Sequence, residues 1–310
     1  MRVTRTFLAM PANLRRMVES AARSAADAVF LDLEDAVPQD QKEAALAGAI
    51  QAINELDWGK KWVSVRVNVP GSGTIETEIA RLSMSAPRLD ALLVPKVERT
   101  ADIDSVVDTI GRYGQHRSTP IGLEVMIETA LGLANCEQIA GHSPLIESLH
   151  FGVGDFSASI GAKGVDIGLS HPAYRLTSRS PQGDCSSTAL DMWAYPMMRI
   201  LVAARAHNLR AIDGPCGAFR DATLTSALAI KAATMGYDGK QVIHPCQIEA
   251  THSAFVPSDE ELRNAQRVIA ALTEAEKDGR GAVQVDGKLV DYANIRMAER
   301  VISMARMGDM

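Results

Sequence analysis

The sequence predicts an α/β protein built as a (β/α)8 TIM barrel with a C-terminal helix–hairpin–helix extension. Three observations carry this. Eight short apolar, β-rich runs follow one another along the chain, helical patterns fill the gaps between them, and a substantial stretch remains after the eighth run. Strands joined through helices run parallel. Eight such units suit a closed barrel better than an open doubly wound sheet.

The strands are read, in order, at 4–10 (TRTFLAM), 28–35 (AVFLDLED), 62–68 (WVSVRVN) and 91–97 (ALLVPKV). Four more follow at 121–128 (IGLEVMIE), 148–155 (SLHFGVGD), 209–215 (LRAIDGP) and 239–245 (GKQVIHP). Among the helices between them are NLRRMVESAARSAA, QKEAALAGAIQAINEL and TLTSALAIKAATMG. Two stretches depart from this regularity. The segment 161–191, from GAKGVDIGLSHP to STALD, is long and rich in Gly, Ser and Pro, which predicts a functional lid or a disordered segment. Beyond the eighth strand, SDEELRNAQRVIAALTEAEKDG reads as a helix, with Ser258 as N-cap and Glu261 closing a capping box. GAVQVDGKLVD reads as a hairpin turning at Asp286-Gly287, and YANIRMAERVISMARM as a final helix. The expected division is a barrel at 1–250 and an extension at 251–310. The extension is too small to fold alone and must pack on its own barrel or a neighbouring one.

Composition narrows the function classes. The chain has 310 residues, 46% hydrophobic and 23% charged, enough for a sizeable core. Its formal net charge of −6 and the lack of a Lys/Arg run give no footprint for nucleic acid or an anionic membrane. No apolar run is long enough for a transmembrane helix, and the N-terminus is too polar for a signal peptide. Cys136, Cys185, Cys216 and Cys246 are scattered, form no C-x-x-C and read as small buried thiols of a reducing, cytoplasmic protein. There is no G-x-G-x-x-G after the first strand, no Walker A pattern and no G-x-S-x-G elbow; PGSGT at 70–74 reads as a plain turn.

Polar residues gather where the catalytic end of a barrel should be. Strand two ends in Asp32, Glu34 and Asp35, strand three in Arg66 and Asn68, and strand four in Lys96 and Glu98. Strands five to eight end in Glu128, Asp155, Asp213 and His244. Buried carboxylates are costly unless paired or bound to a cation, so a ring of them points to a divalent metal. Glu128 and Asp155, closing adjacent apolar strands without His or Cys neighbours, suit Mg2+ or Mn2+. The competing reading makes them ion-paired acids with partners such as Arg66. Glu124, on the same strand face as Glu128 but deeper, reads as an ion-pair or hydrogen-bond partner. The Arg66 fork suits a substrate carboxylate or a developing oxyanion, or it neutralises the acids around it. Lys96 is disfavoured as a Schiff-base lysine because neighbouring acids would raise its pKa. His244 reads equally as a base or as structural.

The motifs FLDLEDAVP, SVRVN, LLVPKVE, IETALGLANCEQIA, FGVGDFSASIG, AIDGP, GKQVIHPCQI and GKLVDYANIRMAERV resemble the citrate-lyase-β-like branch of the HpcH/HpaI aldolase family. The resemblance covers nearly the whole chain in order and is nearest the malyl-CoA/β-methylmalyl-CoA lyases. It implies Mg2+ held by Glu128 and Asp155, with Arg66 as the substrate-side arginine. It places Asp291, in the tail motif L-V-D, as an acid/base offered to a neighbouring subunit's site. Backbone N–H groups of the 152–155 turn, Gly154 and Asp155 included, would bind the substrate carboxylate, and Glu34 and Asp35 would orient Arg66 and the metal's waters.

The implied activity is a carbon–carbon lyase acting reversibly on a 3-hydroxyacyl-CoA. Malyl-CoA or β-methylmalyl-CoA would give glyoxylate with acetyl- or propionyl-CoA. The implied assembly is a homotrimer or homohexamer with shared sites. The alternatives are a malyl-CoA thioesterase, a citryl- or citramalyl-CoA lyase, or a non-catalytic subunit that binds CoA thioesters. MPAN at 10–13 departs from the family pattern, with Ala12 where Gly is common, and so does the 161–191 segment.

Overall fold

Eight parallel strands close into a barrel in the computed structural model, which describes residues 4–164, 166–277 and 279–308. In chain order the barrel begins β1 (Thr6–Pro11), α1 (Arg15–Arg23), β2 (Ala28–Asp32), α2 (Lys42–Glu55), β3 (Trp62–Arg66), α3 (Ile75–Ser85), β4 (Ala91–Val94) and α4 (Thr100–Tyr113). It continues β5 (Gly122–Ile127), α5 (Ala130–Ala134), α6 (Cys136–Ala140), β6 (Ile146–Phe151) and α7 (Val153–Ser159). A two-stranded insert, β7 (Arg175–Arg179) and β8 (Cys185–Ala189), precedes α8 (Ala194–Ala206), β9 (Arg210–Asp213), α9 (Ala222–Met235), β10 (Gly239–Val242) and α10 (Ile248–Phe255). The barrel order is β1-β10-β9-β6-β5-β4-β3-β2, closed between β2 and β1.

The eight expected strands are therefore all present, and the reason is burial on both faces. Every residue of β2, β4, β5, β9 and β10 is buried, as parallel strands between an inner core and an outer helical layer require. Phe7, Ala28, Phe30, Leu93, Met126 and Ile212 pack together in the interior. One strand end is corrected. The sixth strand stops at Phe151, and Asp155 lies in the first turn of α7 rather than at a strand terminus. Gly152 makes this turn possible, since a Cβ there would fall 2.2 Å from Glu128 Oε2.

The 161–191 segment carries the antiparallel β7–β8 pair, with Arg175 opposite Ala189 and Arg179 opposite Cys185. All ten residues of the two strands are exposed. The base of the insert is better held. Asp191 accepts hydrogen bonds from Ser170 Oγ (3.3 Å) and the Trp193 amide (3.0 Å) and pairs with Lys231 (3.0 Å). The cysteines divide: Cys136 and Cys216 are buried, whereas Cys185 and Cys246 are exposed, against the expectation of four buried thiols.

The chain separates into two compact units, residues 2–251 and residues 252–310. In the second, α11 (Asp259–Lys277) packs against α12 (Tyr292–Gly308), and β11 (Val283–Val285) pairs antiparallel with β12 (Lys288–Val290). The capping box is formed: the Ser258 amide reaches Glu261 Oε2 at 2.8 Å and the Glu261 amide reaches Ser258 Oγ at 3.2 Å. The hairpin turns at Asp286 and Gly287, both with positive φ (48° and 77°), as a tight hairpin turn of the I′ type requires. Among the described residues, no helix is long and apolar enough to cross a membrane.

Candidate active site

The site is assembled by strand register. Asp32 and Arg66 are directly paired residues of β2 and β3, so their side chains emerge side by side at the C-terminal mouth. Arg66 Nε and Nη2 each lie 2.6 Å from an Asp32 oxygen, and Nη1 lies 3.1 Å from Glu34 Oε2. Asp32 is itself fixed by the amides of Glu34 (2.9 Å) and Ala36 (3.0 Å). Burial works against the Arg66 charge, but hydrogen bonding and attraction from Asp32 outweigh it and its pKa is raised. The result is a permanently charged, bidentately clamped fork. Of Glu34 and Asp35, both expected beside Arg66, Glu34 lies within ion-pair distance of it. Asp32 provides the main clamp, and Asp35 turns to Lys96 instead. In the sequence Asp32 shows only as a charge ending an apolar strand; its partner Arg66 is fixed by the β2–β3 register.

Glu128 follows β5 and is 1% exposed. Its Oε1 accepts the Lys96 amide at 2.8 Å, while Oε2 is buried without a hydrogen-bond partner. Burial, reinforced by Asp155 and only partly opposed by Arg66, pushes the Glu128 carboxyl up to about 8. Asp155, in the first turn of α7, is partly open to solvent, and its Oδ1 lies 3.5 Å from Lys96 Nζ. The Lys96 ammonium also contacts Glu34 and lies 3.2 Å from Asp35. Burial pulls its pKa down, but Glu34, Glu128 and Asp155 raise it overall, which disfavours a neutral amine able to form a Schiff base.

These residues fit a divalent cation. The orphaned Glu128 oxygen is a buried acceptor with nothing to accept from, and charging that carboxylate here is costly unless a cation completes it. Among the described residues no three His, Cys, Asp or Glu side chains form a metal cage. An ion here would draw Glu128 and Asp155 from the protein and its other ligands from water and substrate, the habit of Mg2+. Gly154 and Asp155 lie in the first turn of α7, where helix amides lack intrahelical partners; the Gly152 amide is committed to the Ile127 carbonyl at 3.1 Å. Phe151, Phe156 and Trp193 stack edge-on and tilted behind this turn, with centroids 5.5–6.4 Å apart, and hold it in place. Beside it opens a cavity of about 220 Å³, lined by Gly154, Ser157, Lys163, His171 and Trp193.

Other candidates are accounted for elsewhere. Glu124 is fully buried below the mouth, 3.7 Å from Arg210 and 4.0 Å from His150, and burial pushes it up to about 7. Asp213 pairs with Lys240 at 2.5 Å. His244 stacks on Phe219, with its Nδ1 2.9 Å from Cys246 Sγ. Asp291 belongs to the second unit, where its Oδ1 accepts the Ala293 amide at 2.8 Å and caps α12 from an exposed position.

A closed parallel barrel with a clamped arginine and a half-satisfied buried carboxylate at its C-terminal mouth is the layout of a barrel enzyme that handles anionic substrates with a cation. The chain belongs to the HpcH/HpaI aldolase/citrate lyase family, whose model matches residues 5–245. An L-malyl-CoA/beta-methylmalyl-CoA lyase of Cereibacter sphaeroides is 38% identical over 99% of this chain and 96% of its own. A (3S)-malyl-CoA thioesterase of the same species is 34% identical over 97% of this chain and 94% of its own. The crystal structure of protein CitE from Mycobacterium tuberculosis, in complex with magnesium, acetoacetate and coenzyme A, superposes with a TM-score of 0.76 at 28% identity, covering 98% of each chain.

Proposed function

We propose that this chain is a Mg2+-dependent carbon–carbon lyase that reversibly cleaves malyl-CoA or β-methylmalyl-CoA to glyoxylate and acetyl- or propionyl-CoA. The observation that carries this is the orphaned, buried Glu128 oxygen beside Asp155 and the clamped Arg66. The lyase relative and the magnesium- and coenzyme-A-bound neighbour support the same reading. Mn2+, with similar oxygen preferences, would substitute for Mg2+.

Glu128 and Asp155 would hold the ion. When bound, it would supply Lewis-acid stabilisation to the oxygen that alternates between hydroxyl and carbonyl. The amides of Gly154 and Asp155 would receive the carboxylate of the 2-oxo acid. As the C–C bond breaks, the hydroxyl proton passes to water at the open mouth, the bond's electron pair passes into the thioester enolate and the carbinol carbon becomes a carbonyl. Arg66, kept charged and in place by Asp32 and Glu34, would stabilise that enolate oxygen. Asp291 from a neighbouring copy would return a proton to the enolate carbon, in a homotrimer or homohexamer with shared sites. The four free thiols favour a reducing compartment such as the cytoplasm.

The second reading is thioester hydrolysis at the same site, favoured by the similarity to the thioesterase. One assay separates the two. Purified protein with Mg2+ and malyl-CoA releases glyoxylate and acetyl-CoA if it is a lyase. Free malate with coenzyme A, without glyoxylate, would make it a thioesterase, and no product with tight thioester binding would make it a binding subunit.

A further inference from the structure

Lys96 touches both candidate metal ligands without being one. Its backbone sits at φ +49°, in the left-handed region that a non-glycine residue rarely adopts. That conformation aims its N–H at Glu128 Oε1, 2.8 Å away, while Oε2 stays free. From the same residue the ammonium crosses the mouth. It contacts Glu34, lies 3.2 Å from Asp35 and reaches Asp155 at 3.5 Å, its longest contact. Arg66 is committed to Asp32 and Glu34, so among the described residues Lys96 is the cation that reaches Asp155. A compact ammonium among three carboxylates does, at unit charge, what a divalent ion would do beside them.

We propose that Lys96 is a positioning residue for the metal centre, with two separable parts. The left-handed backbone fixes one Glu128 oxygen and presents the other to the ion. The ammonium stands in for the ion at Asp155 and withdraws to Glu34 and Asp35 when a divalent cation arrives. This rests on Glu128 and Asp155 being the metal ligands. The division of labour explains why a long cationic side chain occupies a backbone position that glycine would fill more cheaply. It also accounts for the unequal contacts: two acids retain the ammonium, and the weakest contact is the one the ion must replace.

The test is calorimetric titration of Mg2+ without substrate into wild type, Lys96→Gly and Lys96→Val. Glycine keeps the left-handed turn and deletes the ammonium. Valine deletes the ammonium and, being β-branched, resists the turn. Lys96→Gly is expected to bind Mg2+ about tenfold more tightly than wild type, because a competing positive charge a few ångströms away is gone. Lys96→Val is expected to bind about tenfold more weakly than Lys96→Gly, because the Glu128 oxygen loses its fixed donor. Circular dichroism checks folding, and Lys96→Ala replaces the valine variant if that one does not fold. Equal or weaker binding by Lys96→Gly would overturn the stand-in role. Identical affinities for the glycine and valine (or alanine) variants would overturn the backbone role. Failure of wild type itself to bind Mg2+ would instead remove the metal-centre reading beneath the proposal.

Discussion

Arg66 has little freedom: two of its nitrogens are 2.6 Å from Asp32, and a third is 3.1 Å from Glu34. Lys at this position would keep the charge and lose the fork, so Arg66→Lys should lower kcat by about a hundredfold with a much smaller change in KM, the pattern of an interaction made in the transition state. Steady-state kinetics check this, and a raised KM with unchanged kcat would place Arg66 in ground-state binding. Two buried carboxylates set a pH dependence. Glu124 and Glu128 are raised from an ordinary 4.5 to about 7 and about 8, both chiefly by burial. A raised acid contributes stability that is full below its unfolded value and is lost as pH rises through its folded value. The metal-free protein should therefore melt at progressively lower temperature from about pH 5 to pH 9 by these groups. Glu124→Gln should flatten the fall between about pH 5 and pH 7, as thermal scans across that range would show. The charged residues of the mouth were legible because Arg66, Glu128 and Asp155 are charges in apolar runs. The pairing of Arg66 with Asp32 was not, because it depends on the β2–β3 register, which one strand read alone does not contain. The acids around Lys96 were legible, and its raised pKa follows from them, but its positive φ leaves no mark on the letters VPKVE.

At the scale of elements, strands were legible where burial on both faces forced continuous apolar runs, as in AVFLD and GLEVMI. The β7–β8 hairpin was not, because RLTSR and CSSTA are exposed throughout and carry no alternation of apolar and polar residues. The end of β6 was misjudged because VGD reads as strand until Gly152 turns the chain into α7. The hairpin's exposure leads to an expectation of its own. Replacing residues 177–187 with a short Gly/Ser link between Leu176 and Thr188, which face each other in the pair, should leave the melting temperature and Mg2+ affinity unchanged. The same variant should change KM among acyl-CoA substrates, since its base borders the cavity beside Gly154. Thermal melts, Mg2+ calorimetry and a substrate series check this, and a large loss of stability would make the hairpin structural.

At the scale of the whole molecule, the second unit carries Asp291, exposed at the start of α12. If Asp291 completes a neighbouring copy's site, Asp291→Ala and Glu128→Gln should each be nearly inactive alone. Co-assembled, they should recover activity in proportion to the sites that combine an intact Glu128 with an intact Asp291. Hetero-oligomers seen by native mass spectrometry that stay inactive would refute the shared site. The central claim is that C–C cleavage runs through a cation held at Glu128, whose second oxygen is buried and unpartnered. Its most direct test is glyoxylate release from malyl-CoA as Mg2+ is titrated into chelator-treated wild type and Glu128→Gln. Wild type should be silent without the ion and saturate as it is added, while the variant should need at least about a hundredfold more Mg2+, more than the loss of a mere supporting partner costs. Glyoxylate released in the presence of chelator, or the same Mg2+ dependence in both proteins, would contradict it.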